Sequence, residues 1–331
     1  MRIALDAMGG DYAPLEQVKG AVQALEELDR ISIILVGKKE EIEKELEKYT
    51  YDKGRVTIVD AREVVEMDDD PVVAIKTKKD SSMNRALDLV KSGEADASVS
   101  AGNTGALISS SQIKLRRVKG VLRPAITTIF PAKKRNIVLM DVGANSDCRP
   151  EFINQFATMG SLYFEEMFDE KKPKVGLLNI GTEEGKGNEI TREAFELLKT
   201  NDKINFVGNI ESREMMDGEV DVVVTDGFTG NMVLKTAEGT AKYIFSILKE
   251  EIGKSFLGKI GALFLKPVLK NLKTKMDSSE YGGALFLGIN GISIKAHGNS
   301  KAKGIKNAIK VANKFAEDKF IDRLAKEMQQ D

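Results

Sequence analysis

The sequence predicts an α/β fold, a mostly parallel sheet with helices on both faces. Short β-branched apolar runs alternate along the chain with stretches of helical periodicity, the pattern of strands joined by crossover helices. The runs are apolar nearly throughout, as strands covered on both faces are. Most of them end in a polar, glycine-rich loop that leads into the next helix, and ligands of such sheets bind just there, beyond the carboxyl ends of the strands.

The first strand is RIALD, and DAMGGDYAP carries it into a helix expected over 14–28. ISIILVG and RVTIVD follow as buried strands. A helix over 81–91 precedes DASVS, and SAGNTGA turns that strand into a helix over 104–117. NIVLMD runs into DVGANSD and a helix over 150–168. KVGLLNI runs into NIGTEEGKGN and a helix over 189–198. INFVG precedes VDVVVTD, whose loop TDGFTGN opens a long helical stretch. Near the end GISIKA reads as a strand and AHGNS leads to a helix from about 300. The whole, 1–331, is expected to form one catalytic domain, in one or two lobes, with a helical excursion over about 238–277.

Composition narrows the function classes. A net charge of −1 gives the chain no general reason to bind nucleic acid. No basic segment followed by an apolar one opens it, and no apolar run approaches the ~18 residues of a membrane span, so a cytoplasmic location is expected. Cys148 is the single cysteine and His297 the single histidine. An internal disulfide and a histidine-rich metal centre are therefore excluded, and no metal or cofactor is expected. In SDCRPE, Cys148 has no partner in sequence that would make it a nucleophile.

The chemistry is expected in six loops along one sheet edge: DAMGGDYAP, SAGNTGA, DVGANSD, NIGTEEGKGN, TDGFTGN and AHGNS. SAGNTGA and TDGFTGN share a G-x-T-G core, Gly102, Thr104, Gly105 and Gly227, Thr229, Gly230, and each leads into a helix. Glycines admit a ligand close to the backbone, and free N–H groups at a helix N-terminus favour an anion, with phosphate the simplest guest. Nucleotide motifs fail on spacing: SAGNTGA is not G-x-G-x-x-G, and GTEEGKGN is one residue short of a phosphate loop, with Gly187 where Ser or Thr belongs. The remaining candidate ligand residues are Asp6, Gly9, Gly10, Asp11, Ser100, Asn103, Asp141, Asn145, Asn179, Gly181 and Asn188. Each aspartate reads equally as a cap or turn former. For acid, base or oxyanion roles the candidates are His297, Lys186, Asp226 and Asn231, with Lys235 a further cation. A structural histidine and solvated lysines are the alternatives.

Two segments are locally basic. From Ala97 to Met140 there is no acid, while Lys114, Arg116, Arg117 and Arg123 are among its cations, which suits an acidic partner. The second is KSFLGKIGALFLKPVLKNLKTK, with six lysines and no acid. Its apolar residues Phe256, Leu257, Ile260, Leu263, Phe264, Val268, Leu269 and Leu272 mostly follow i, i+3, i+4 spacing, and Pro267 is expected to break it into a hairpin. Such a stripe suits an anionic membrane surface, a second subunit, or both.

Together DAMGGDYAP, SAGNTGA, DVGAN, GLLNIGTEEGKGN, VDVVVTDGFTGN and YGGALFLGINGISIKAHG, in this order and over almost the whole chain, resemble the bacterial phosphate acyltransferase family PlsX. The resemblance implies transfer of a fatty acyl group from acyl-acyl-carrier protein to inorganic phosphate, giving acyl phosphate for membrane phospholipid synthesis. It also implies a fold like that of phosphotransacetylases and isopropylmalate dehydrogenases, commonly a homodimer, at the inner face of the membrane beside a downstream membrane acyltransferase. The basic stretch then suits docking of the acidic carrier protein. Two rival readings are a metal- and NAD-dependent decarboxylating dehydrogenase on a similar fold and a non-catalytic, membrane-recruited regulatory protein.

Overall fold

The computed structural model describes residues 1–275 and 278–329. Among them the strands are β1 (Arg2–Asp6), β2 (Ser32–Gly37), β3 (Val56–Asp60), β4 (Ala97–Ser100), β5 (Ala125–Phe130), β6 (Ile137–Met140), β7 (Lys174–Asn179), β8 (Asn205–Glu211), β9 (Val222–Val224), β10 (Ala284–Leu287) and β11 (Ile292–Lys295). The helices are α1 (Leu15–Glu27), α2 (Lys39–Leu46), α3 (Pro71–Thr77), α4 (Ser82–Ser92), α5 (Thr104–Leu115), α6 (Pro150–Phe168), α7 (Glu189–Thr200), α8 (Ser212–Met215), α9 (Gly227–Lys254), α10 (Phe256–Lys275), α11 (Ala302–Glu317) and α12 (Phe320–Met328).

All strands join one sheet, ordered β3-β2-β1-β4-β11-β10-β5-β6-β9-β7-β8. The fold is α/β and mostly parallel, with an antiparallel centre: β11–β10, β10–β5 and β5–β6 all pair antiparallel. Three reversals leave β6, β9, β7 and β8 running opposite to β3, β2, β1, β4 and β11. The strands AITTIF and ALFL, absent from the periodic reading, make this centre.

That reversal corrects the expectation of six loops on one edge. The loops after β1, β4 and β11 leave the sheet in one direction, and those after β6, β9 and β7 in the other. Register brings the two groups near each other all the same. The pairs Val99↔Ile294, Ile294↔Leu285, Leu285↔Thr127 and Thr127↔Met140 set Val99 and Met140 in one row across five strands. Both groups therefore begin near the middle of the sheet, about 19 Å apart laterally at ordinary strand spacing.

Helices α5 and α9 lie on the same face, where Leu107 and Leu234 share a core with Ile126, Phe130 and Phe286. The other face carries α1, α6 and α11 over Ala125, Leu285 and Ile294. Tyr163 of α6 stacks on Phe315 of α11 with ring centroids 5.0 Å apart, tying the halves together. Side-chain caps fix the helix starts that matter: Asn103 accepts from Ala106 N, Asn188 from Thr191 N and Asp226 from Thr229 N.

Helix α5 stops at Leu115, short of the expected 117, because Arg116 takes a left-handed backbone with φ 61°. The basic excursion is a helical hairpin: α9 starts at Gly227 against the sheet and has no buried residue beyond Leu234; its expected end at 276–277 lies outside the described residues. Helix α10 runs through Pro267 unbroken, and the break falls at Ser255, extended at φ −112°. Its hydroxyl accepts from Gly258 N at 3.1 Å, a helix N-cap, so a new helix starts there.

Candidate functional site

The first loop group is built around Asp6, buried at the end of β1. Ser100 Oγ donates to its Oδ2 at 2.6 Å and Met8 N to its Oδ1 at 3.2 Å, while Gly102 N donates to Ser100 Oγ at 3.1 Å. Burial pushes the Asp6 carboxyl above its ordinary range, and these donors pull against it. Gly9 has no room for a side chain: a Cβ there would fall 2.3 Å from Asp6 Oδ2. Gly10 has φ +103°, and Asp11 N donates to Gly298 O at 2.8 Å, joining the first loop to AHGNS. Asn103 is fully engaged, its oxygen capping α5 and its amide nitrogen donating to the carbonyls of Glu66, Met67 and Asp69. Thr104 and Gly105 open α5, and Gly105 packs toward Pro71.

The second group is built around Asp141, with no exposed surface. Five N–H groups converge on its carboxylate: Ile126 N at 3.0 Å, Gly143 N at 3.2 Å, Ala144 N at 3.1 Å, and Asn145 N and Nδ2 at 2.8 and 2.9 Å. Burial raises its pKa against those donors. Asn145 Nδ2 also donates to Pro124 O at 2.8 Å. Helix α9 starts on this loop, since Gly227 N donates to Asn145 O at 2.8 Å and a Cβ at Gly227 would sit 2.7 Å from Asp141 Oδ2. Asp226 accepts from Thr229 N at 2.8 Å and from Thr229 Oγ1 at 2.7 Å, and Gly230 packs on Asp141. Asn231 lies one residue on, exposed and next to Gly143.

In NIGTEEGKGN, Asn179 accepts from Ile180 N at 2.8 Å and donates to Lys186 O and to Asn209 Oδ1, both at 3.1 Å. Gly181 is buried, Asn188 caps α7, and Lys186 is exposed, 3.9 Å from Glu183.

Helix α9 then reaches the first group. Lys235 Nζ lies 2.9 Å from Glu238 Oε2, and Glu238 Oε1 lies 3.9 Å from His297 Nε2. Beside them stands Lys295, the last residue of β11, which the periodic reading passed over. Its ammonium donates to Ala296 O and lies 3.4 Å from Ala101 O. Burial depresses its pKa to about 8; the charges of Asp6 and Asp11 oppose that and Lys235 adds to it. Lys295, Thr104, Ser293, Ile126 and Phe286 line a small cavity over the antiparallel centre. A position for this lysine was hidden in sequence because ISIK reads as a plain buried strand.

The other candidates fall elsewhere. Lys114 is paired with Asp88 at 2.6 Å. Arg116, Arg117 and Arg123 are exposed and have no carboxylate partner among the described residues. Arg123 directly precedes Pro124, whose carbonyl accepts from Asn145, and Arg117 donates to Leu122 O, which sets these two beside the second group. Phe256, Leu257, Leu263, Phe264, Val268 and Leu272 are exposed on α10, with Ile260, while Leu269 is half-buried. Burial pushes the Cys148 thiol up to about 12, which leaves it inert. Among the described residues no His, Cys, Asp or Glu cluster has the makings of a metal site, and no helix is long and apolar enough to cross a membrane.

A family model described as "Fatty acid synthesis protein" matches residues 1–323. The phosphate acyltransferase of Fusobacterium nucleatum is 59% identical over 330 residues, 99% of each chain, and that of Clostridium tetani is 50% identical over 328 residues, 99% of this chain and 98% of that one. Among solved structures, a phosphotransacetylase from Streptococcus pyogenes superposes with a TM-score of 0.66 at 18% identity, covering 96% of this chain and 94% of that one. At that identity the likeness speaks for the fold.

Proposed function

The chain belongs to the fatty acid synthesis protein family and is an acyltransferase enzyme, and from this premise we propose that it transfers a fatty acyl group from acyl-acyl-carrier protein to inorganic phosphate, releasing acyl phosphate. Membership in a phosphate acyltransferase family sets aside the dehydrogenase and regulatory readings. The observation that supports the specific reaction is the small cleft beside the N-terminus of α5, lined by Thr104 and floored by Lys295, with Glu238 of α9 reaching His297 nearby. The positive helix end of α5 and the Lys295 ammonium suit a small dianion.

In this reading SAGNTGA and TDGFTGN hold phosphate, and Lys295 adds charge from below. Phosphate is already largely ionised near neutrality, its second pKa being about 6 in phosphoesters, so positioning does most of the work and no protein nucleophile is needed. A phosphate oxygen attacks the thioester carbonyl, and the oxyanion is met by backbone N–H groups or the Asn231 amide. The carbon–sulfur bond then breaks with its electron pair on sulfur, and Lys186 or His297 supplies the proton that makes the thiol. Arg116, Arg117 and Arg123 dock the acidic carrier beside the second group. The enzyme works as a homodimer, touches an anionic membrane through α10, and hands its product to a membrane acyltransferase.

Hydroxylamine trapping tests the reaction. With acyl-carrier thioester, phosphate-dependent acyl hydroxamate above a no-phosphate control is expected. A signal equal to that control overturns the reading.

A further inference from the structure

Along α9 lies an apolar cavity of about 590 Å³. Phe130, Met216, Met232, Ala237, Ala241 and Ile244 are its main apolar lining, and Ser212, Thr236 and Thr240 add hydroxyls. It follows α9 for twelve residues, about 18 Å at the helical rise. At roughly 30 Å³ per heavy atom, a water's share of liquid volume, it has room for about 20 such atoms.

One residue borders both the cavity and the candidate site. Glu238 lines it and also holds Oε1 3.9 Å from His297 Nε2 on the cleft side. Met232, at the other end, directly follows Asn231. Its only cation is Arg213, which is paired with Glu211. Such a lining repels a phosphate or a peptide carboxylate and favours a chain of methylenes. Beyond Ile244, α9 runs on to the turn of the hairpin, and α10 carries the exposed apolar residues Phe256, Leu257, Leu263 and Phe264.

We infer that this cavity is the acyl-chain pocket and that its far wall, at Ala241 and Ile244, sets the longest chain the enzyme accepts. The inference rests on the acyl-transfer reading above. Small side chains at 237 and 241 leave the channel open at mid-length, and a large one there excludes the outer methylenes. Each excluded methylene weakens transition-state binding about fourfold.

The test compares Ala241→Trp and Ile244→Ala with wild type, using octanoyl- and hexadecanoyl-carrier thioesters and phosphate. Folding is checked by circular dichroism and oligomeric state by light scattering. For Ala241→Trp the octanoyl-to-hexadecanoyl ratio of kcat/KM should rise at least about tenfold, and for Ile244→Ala it should fall. An unchanged ratio in both variants, with wild type still making acyl phosphate, overturns the inference and leaves the reaction intact. Dissociation of a wild-type dimer by Ala241→Trp, with equal loss for both chains, also overturns it and assigns the cavity to a second copy of the chain. Failure of wild type to form acyl phosphate from either thioester strikes the reaction itself.

Discussion

Gly230 passes so close to Asp141 that a Cβ built on it would lie 1.9 Å from the Asp141 carbonyl oxygen. Two backbones in contact cannot yield as a flexible side chain does. The glycine therefore fixes how α9 seats on β6, and with it every residue that α9 presents to the cleft. Gly230→Ala is expected to destabilise the fold by about 2 kcal/mol or more, seen as a Tm lower by several degrees, with a large loss of acyl phosphate formation. A variant with wild-type Tm and rate would show that the contact relaxes freely.

Lys295 trades stability for charge in the cleft. In the unfolded chain its ammonium titrates near 10.5, and in the fold near 8. The folded state binds fewer protons between those values, so stability rises with pH across that window, and below pH 8 the burial penalty is present in full. Lys295→Met should thus melt higher than wild type at pH 7, by something on the order of 1–3 kcal/mol. The gain should vanish by about pH 10.5, the ordinary lysine range. Activity should fall more than about tenfold, the size of one lost charge-assisted hydrogen bond. Equal activity in the variant would remove Lys295 from the site.

The docking patch is tested by Arg116→Glu with Arg117→Glu. Their exposure, with no carboxylate partner among the described residues, leaves both charges available to an acidic surface. KM for the carrier substrate should rise and its dependence on salt flatten, with KM for phosphate unchanged. A uniform change in both constants would point to a general structural effect instead.

The hairpin is tested on vesicles. Phe264 and Leu263 are 81% and 71% exposed, a costly way to leave two large apolar side chains unless something covers them. Wild type should co-sediment with anionic liposomes in a salt-dependent way, and Leu263→Glu or Phe264→Glu should weaken this with solution catalysis largely retained. Wild-type protein that stays in the supernatant would leave α10 as a subunit contact.

Much of the arrangement was legible from strand and loop chemistry. G-x-T-G loops after buried strands do open α5 and α9, and DVGAN and NIGTEEGKGN do end strands beside one of them. Direction was illegible for a physical reason. Antiparallel neighbours need only short connections, so β5–β6 and β10–β11 lack the intervening helix that periodicity detects. Without those reversals, two loop groups look like one edge. The hairpin break was misplaced because proline is the louder signal, while Ser255 acts through a single cap. Lys295 was invisible because its importance comes from burial beside Ala101, at the end of β4, and from the charge of Asp6, at the end of β1, both remote in sequence.

The position of β11 also bears on how the protein is made. This strand is synthesised after β1–β10, yet it pairs with β4 and sits between the two halves. Helix α11, later still, supplies the cover for α1, with Ala302 and Ile305 packed against Gly20. During translation the N-terminal half therefore leaves the ribosome with an open strand edge and a bare apolar face, and it stays so until β11 and α11 have emerged. A premature stop after α10 would release a polypeptide with every loop of the site except AHGNS and no means of closing its first half.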